Sequence, residues 1–262
     1  MSMIDNFENK KVSQYLDFMG SGKVLIRFGH GWGDTLMFIP ILERLRALYP
    51  QIRLDLYLEC GQEKIFESVV DKEGVGYDYV FSLNFPMAEG SEITKAEKCC
   101  LDELGIPYGG IFELARLPKY DSPFVAIHFQ GTSLPNSVNC PPEVAREIWQ
   151  EVIESGKIPI EVHFQHIFHN PVNEKYDFVN RNVRDIPAEL DKLIGVIQNS
   201  FAFIGVASGP LITALSIMPD RVLYLEKDHK IETYSKKQIQ KVKVANYQKG
   251  ETKIWLSNLK SS

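Results

Sequence analysis

The sequence predicts an α/β protein of two Rossmann-like domains facing each other across a cleft. Short β-prone runs alternate with segments of helical periodicity, the mark of a parallel sheet with crossover helices. The alternation occurs twice, each time as strand, small-residue turn and helix. Between the two series lies Leu117–Pro123 (LPKYDSP), polar and proline-containing without periodicity. It reads as a linker dividing residues 1–120 from residues 121–262.

The first series opens at Val24–Phe28 (VLIRF), which runs into Gly29-His30-Gly31-Trp32-Gly33. From about Thr35 to Tyr49 the pattern is helical, with Phe38, Ile41, Leu42, Leu45, Leu48 and Tyr49 at spacings of three and four. Pro50 stops it. Arg53–Leu58 is a second strand, Lys64–Val70 a short helix, Tyr79–Leu83 a third strand and Glu92–Leu104 a helix closed by Gly105 and Pro107.

The second series starts at Phe124–His128 (FVAIH) and enters a helix at Pro141 or Pro142, since proline fits a first turn. Val144, Ile148 and Val152 form that helix's apolar face. Ile158–Phe164 is the next strand, and Ala188–Asn199 is amphipathic, with Leu190, Leu193, Ile194 and Ile197 on one side. Phe201–Val206, the turn Ser208-Gly209-Pro210, a helix over Leu211–Ile217 and Val222–Leu225 follow. Beyond them lies a less regular part ending in a helix over Glu251–Leu259.

A length of 262 residues, 44% hydrophobic and 24% charged, suits two small globular domains. A net charge of -5, with no Lys/Arg block interleaved with aromatics, argues against a nucleic-acid partner. Met1–Lys11 is polar and does not read as a secretory signal. No apolar run approaches the roughly 20 residues that span a bilayer. Cys60, the adjacent Cys99 and Cys100, and Cys140 form no CxxC and no regular framework. They read as reduced, mostly buried thiols of a cytoplasmic protein.

Open α/β sheets bind ligands beyond the carboxyl ends of their strands, so the turns after Phe28, His128 and Val206 are where function belongs. In Gly29–Asp34 the alternate glycines permit close backbone approach, and the helix that follows offers unpaired N–H groups. A dinucleotide site is one reading, with Glu59 as the ribose-binding acid. Against it, the spacing is GxGxG rather than GxGxxG. Asp34 also puts a carboxylate where a pyrophosphate would sit. Asp34 is then either an N-cap or a general base toward a hydroxyl nucleophile, held ionised by the helix N-terminus.

The segment Leu25–Pro50 (LIRFGHGWGDTLMFIPILERLRALYP) resembles the opening of the ADP-heptose:lipopolysaccharide heptosyltransferases, glycosyltransferase family 9. Phe124–Val144 (FVAIHFQGTSLPNSVNCPPEV) is similar to that family's loop and helix opening the nucleotide-binding domain. Leu193–Leu215 (LIGVIQNSFAFIGVASGPLITAL) is similar to its helix, strand and Ser-Gly-Pro turn.

The resemblance implies a GT-B-like pair of domains, with the acceptor side in residues 1–120 and the nucleotide-sugar site in residues 121–262. It implies inverting, metal-independent transfer of a sugar from a nucleotide-diphosphate sugar to a glycan or other hydroxyl acceptor, with no cofactor. Asp34 matches the family's catalytic aspartate. Gln130, Gly131, Thr132 and Ser133 match its donor loop, and Ser208, Gly209 and Pro210 its phosphate-side turn. His30, Gly31, Trp32 and Gly33 would then contact the sugar or acceptor.

The chain departs from the pattern in the donor half. Asn136–Cys140 carries no cation where the family has Lys or Arg, and Ala207 and Ile212 stand where it has Asp and His. A catalytically silent binding module for a sugar nucleotide or glycan is therefore an alternative, and a nucleotide-sugar epimerase or dinucleotide enzyme another. His163, His166 and His169 invite a metal reading, but a strand sends His163 and His166 to opposite faces. His128 reads as a packing or loop-orienting residue. Trp149 and Trp255 read as core residues. Trp32, in the glycine turn, could stack on a sugar. Val206 stands where GxSxG needs glycine, so Ser208 is not a nucleophile elbow.

Overall fold

In the computed structural model, residues 11–29, 31–58, 76–83, 95–108, 121–131, 139–162, 190–227 and 240–259 are described, except the side chains of residues 32 and 190–192. The chain divides into two compact units, Met1–Phe112 with Glu232–Ser235, and Glu113–Ile231 with Lys236–Ser262.

The first unit carries α1 (Val12–Met19), β1 (Gly22–Phe28), α2 (Trp32–Leu48), β2 (Ile52–Leu58), β3 (Tyr79–Leu83) and α3 (Lys95–Cys99). α3 runs on as a π-helical segment, Cys100–Leu104. Its parallel sheet has the order β2-β1-β3. β1 lies in the middle, so Val24, Leu25, Ile26 and Phe28 are all buried and the strand reads as a continuous apolar run. Phe28 stacks on Phe38 of α2 at 4.6 Å between centroids. α2 starts three residues earlier than its apolar stripe suggests and runs through Pro40. Phe38, Ile41, Leu42 and Leu45 of the stripe are buried, whereas Leu48 lies exposed at the helix end.

The second unit carries β4 (Phe124–His128), α4 (Pro142–Glu154), β5 (Ile158–Glu161), α5 (Leu190–Gln198), β6 (Ala202–Gly205), α6 (Gly209–Ile217), β7 (Val222–Glu226), β8 (Gln240–Lys243) and α7 (Glu251–Asn258). Its parallel sheet has the order β5-β4-β6-β7-β8. α4 begins with Pro141 as N-cap and Pro142 in the first turn, as expected. Ile148 and Val152 are buried, with Ala145 and Trp149, against Val125, Ile127, Ile204 and Leu223. α6 is buried on all sides from Pro210 to Ile217, with the hydroxyls of Thr213 and Ser216 bonded back to the carbonyls of Gly209 and Ile212.

Both edges of this second sheet are guarded. The N–H groups of Ile158 and Val162 point at the β4 side, to Pro123 O and Ile127 O. By the two-residue period Pro159, which has no N–H, faces outward. On the other edge, β8 shows Gln240 and Lys243 to solvent.

The helix over Lys64–Val70 and the histidines 163, 166 and 169 lie outside the described residues. α1 and β8 were not foreseen from sequence. Among the described residues no helix is long and apolar enough to cross a membrane.

Candidate functional site

Each sheet reverses direction once. In the first unit the chain leaves β1 for β2 on one side and returns with β3 on the other. In the second it leaves β4 for β5 and returns with β6. A reversal of this kind spreads the connections on either side and opens a crevice beyond the strands' carboxyl ends. The turns after β1, β4 and β6 emerge at these points.

In the first unit Gly31 is the N-cap of α2, in extended backbone with φ -67° and ψ 174° and no side chain to cap with. Thr35 closes the turn instead, its N–H and its Oγ1 each donating to Gly31 O at 3.0 Å. Asp34 is therefore not the N-cap that one reading of the sequence allowed. It lies in the helix's first turn, where the backbone dipole favours an anion.

Its Oδ1 atom is 3.8 Å from Nζ of Lys95, with side-chain exposures of 15% for Asp34 and 8% for Lys95. Gly33 is buried beside it. Lys95 opens α3, the helix that follows β3, so the ion pair joins the connections leaving the two strands at the reversal. His30 and the side chain of Trp32 lie outside the described residues.

In the second unit the turns after β4 and β6 are stitched together. Val206 N–H donates to His128 O at 3.0 Å, just past the end of the β4–β6 pairing. His128 is buried and its Nδ1 lies 2.6 Å from Val162 O, which ties the ends of β4 and β5 together. This is the orienting role expected of it. Gly205 lies so close to β4 that an added Cβ would stand 3.1 Å from His128 O.

Gly131 N–H donates to Asn139 Oδ1 at 2.8 Å, and Cys140 N–H to Phe129 O at 2.9 Å. The segment without a cation thus shapes the loop through Asn139. Between them Gln130 is 6% exposed, and its Nε2 is buried with no hydrogen-bond partner. A buried amide donor with no acceptor among the described residues is costly. Thr132 and Ser133 lie outside the described residues.

Ser208 caps α6, accepting Leu211 N–H at 3.3 Å while its own hydroxyl donates to Val206 O at 2.9 Å. The hydroxyl expected to meet a phosphate is thus committed to the turn. Ile212 N–H goes to Ser208 O at 3.2 Å and Pro210 has no N–H, which leaves Gly209 N–H as the donor of that first turn. Ala207 and Ile212 are buried apolar residues at 7% and 4%.

Lys95 and Asn139 are the two site residues that sequence reasoning missed. Neither sits in a spacing pattern, because both reach the site through tertiary packing. Trp149 is in the core at 9% exposure and Trp255 packs against it, as expected. Burial pushes the Cys99 and Cys140 thiols well up and Cys100 to about 12. Among the described residues no three His, Cys, Asp or Glu side chains converge as a metal-binding group.

No family model and no curated protein matches the sequence. Solved structures do. The chain is similar to the iron-containing dodecameric glycosyltransferase TibC of enterotoxigenic E. coli H10407, at 16% identity and a TM-score of 0.58 over 85% of this chain. It spans 64% of that protein's length. It is similar to E. coli heptosyltransferase WaaC with ADP, at 12% identity and a TM-score of 0.58, covering 90% of this chain and 99% of WaaC. The glycosyl transferase family 9 protein of Veillonella parvula matches at 14% identity and a TM-score of 0.57, covering 84% of this chain and 85% of that one. The parallel α/β sheets with their paired turns are those of a protein sharing the fold of the family 9 heptosyltransferases.

Proposed function

We propose that the chain is a cytoplasmic glycosyltransferase that moves a sugar from a nucleotide-diphosphate sugar to a hydroxyl acceptor, with inversion and without a metal. The observation that carries this reading is the Asp34 carboxylate at the N-terminus of α2, beyond the carboxyl end of β1, paired with the buried Lys95. A carboxylate so placed can take the proton of an acceptor hydroxyl. The hydroxyl oxygen bonds to the anomeric carbon as the carbon–oxygen bond to the diphosphate breaks, and that electron pair leaves with the nucleotide. The sugar's configuration inverts in this single displacement.

On this reading residues 1–120 present the acceptor side, with His30, Gly31, Trp32 and Gly33 beside the base. Residues 121–262 hold the donor through Gln130, Gly131, Thr132, Ser133, Ser208, Gly209 and Pro210. The leaving diphosphate needs its developing charge met. On this reading Gly209 N–H and the Gln130 amide are the described donors that would meet it. Complexes of similar proteins hold ADP, in WaaC, and ADP-D-beta-D-heptose, in TibC, so adenosine diphosphate sugars are the first donors to try.

The committed Ser208 hydroxyl and the buried Ala207 and Ile212 favour a second reading, a catalytically silent module that binds a sugar nucleotide. Thermal unfolding against ADP, UDP, GDP, CDP and dTDP sugars separates the possibilities when combined with release of free nucleoside diphosphate. Ligand at 100 times its Kd adds about 2.7 kcal/mol, a shift of a few degrees. A shift with turnover supports the transferase, and a shift with no acceptor-dependent release supports the module. No shift with any nucleotide counts against both.

A further inference from the structure

We propose that Lys95 is a positioning residue for Asp34, holding Oδ1 so that Oδ2 meets the acceptor hydroxyl. The inference rests on the reading of Asp34 as the base. Oδ1 is buried, and the Lys95 ammonium lies 3.8 Å from it. The Asp34 side chain is 15% exposed and that of Lys95 8%. A cation this close to one carboxylate oxygen narrows the directions the group can take, and proton transfer depends on that direction.

Burying an ammonium is expensive, and a buried ion pair is weak evidence for stability because apolar residues of equal volume often serve as well. α2 needs no help at its start, since Gly31 caps it and Thr35 closes its first turn. The carboxylate at that position already has the helix dipole in its favour.

The helical segment that begins at Lys95 is tied down at its far end. α3 passes directly into the π-helical turn, whose cap residue Gly105 has φ 69° and donates its N–H to Cys100 O. Ser13 Oγ of α1 donates to Gly105 O at 3.3 Å, and a Cβ at Gly105 would meet that hydroxyl at 2.6 Å. Single π-turns of this kind recur at functional sites, where they reset which way the preceding residues face.

In the step itself, Asp34 Oδ2 takes the acceptor's proton as the C1–oxygen bond forms, the diphosphate departs with its electron pair, and the proton later passes to water. Lys95 neither gains nor loses a proton. The test is steady-state kinetics of Lys95→Met and Lys95→Arg, with thermal midpoints checking the fold. Lys95→Met should lower kcat about 100-fold and leave donor KM within about twofold, and Lys95→Arg should recover at least about tenfold of that loss.

In Asp34→Asn/Lys95→Met, a neutral pair that folds without a buried lone charge, kcat should be no lower than in Asp34→Asn alone. A Lys95→Met kcat within about twofold of the parent, or losses that simply add in the double variant, would overturn the proposal while leaving the transferase reading intact. An unaltered protein without turnover on any donor would overturn both.

Discussion

The carboxylate of Glu151, in α4, accepts the backbone N–H of Gly250 at 2.6 Å across 99 residues of sequence. Its second oxygen accepts Lys253 N–H at 3.1 Å. Glu151 is 2% exposed, so one buried acid supplies the missing cap of α7, whose own N-cap is a glycine with φ 101°. Glu151→Ala removes both acceptors and leaves two N–H groups at a partly buried helix end. The expected loss is about 1–2 kcal/mol in urea unfolding, the range for a lost helix cap. A loss below about 0.5 kcal/mol would show that water takes over the cap.

Gln130 gives a prediction in which stability and binding move apart. Its buried Nε2 has no partner in the unliganded protein, so Gln130→Met should leave the thermal midpoint unchanged or raise it. The same change should weaken the nucleotide that stabilises the parent protein by about tenfold, read as a smaller ligand-induced shift. Parallel loss of both would mean that the amide serves packing alone.

Asp34→Asn keeps the shape of the side chain and removes the proposed base. Turnover should fall by about 10²–10⁴, with donor-induced thermal shifts retained. A variant that keeps its rate would remove Asp34 from the chemistry.

The three described cysteines should be chemically quiet. Thiolate is the reactive form, and burial raises Cys99, Cys100 and Cys140 far above the pH of a labelling experiment. At about pH 8, iodoacetamide should modify none of the three in the native protein and all three in urea, by peptide mass mapping. Native labelling of Cys99 or Cys100 would show that the α3 region opens.

The interior strands β4, β6 and β7 were legible because a parallel sheet buried on both faces demands apolar runs, whereas β3, with alternating exposure, was marked by its aromatic and β-branched residues. Tyr79–Leu83 and Phe124–His128 match in full, and the runs at Val24, Arg53, Phe201 and Val222 differ from the strands by one or two residues at an end. β8 was illegible for the opposite reason. Gln-Lys-Val-Lys lies at an edge with one buried residue, so its sequence is set by solvent. The helix expected over Glu92–Leu104 proved to be α3 and a π-turn, a change of hydrogen-bond register that leaves no composition signal.

The site divided in the same way. Asp34, Gln130 and Ser208 lie on local motifs that a reader of the chain can see. Lys95 reaches Asp34 only because β3 pairs beside β1. The committed Ser208 hydroxyl is likewise a matter of three-dimensional geometry that the residue's identity does not reveal.

The proline on β5 and the solvent-facing Gln240 and Lys243 of β8 bear on how this chain behaves in a crowd. An incoming strand needs a row of donors and acceptors to zip onto. At one border of the second sheet the row is interrupted at Pro159, and at the other it is flanked by a long cationic side chain. As far as the described residues form these two borders, an incoming strand of a second copy therefore meets a broken or charged row rather than a clean template.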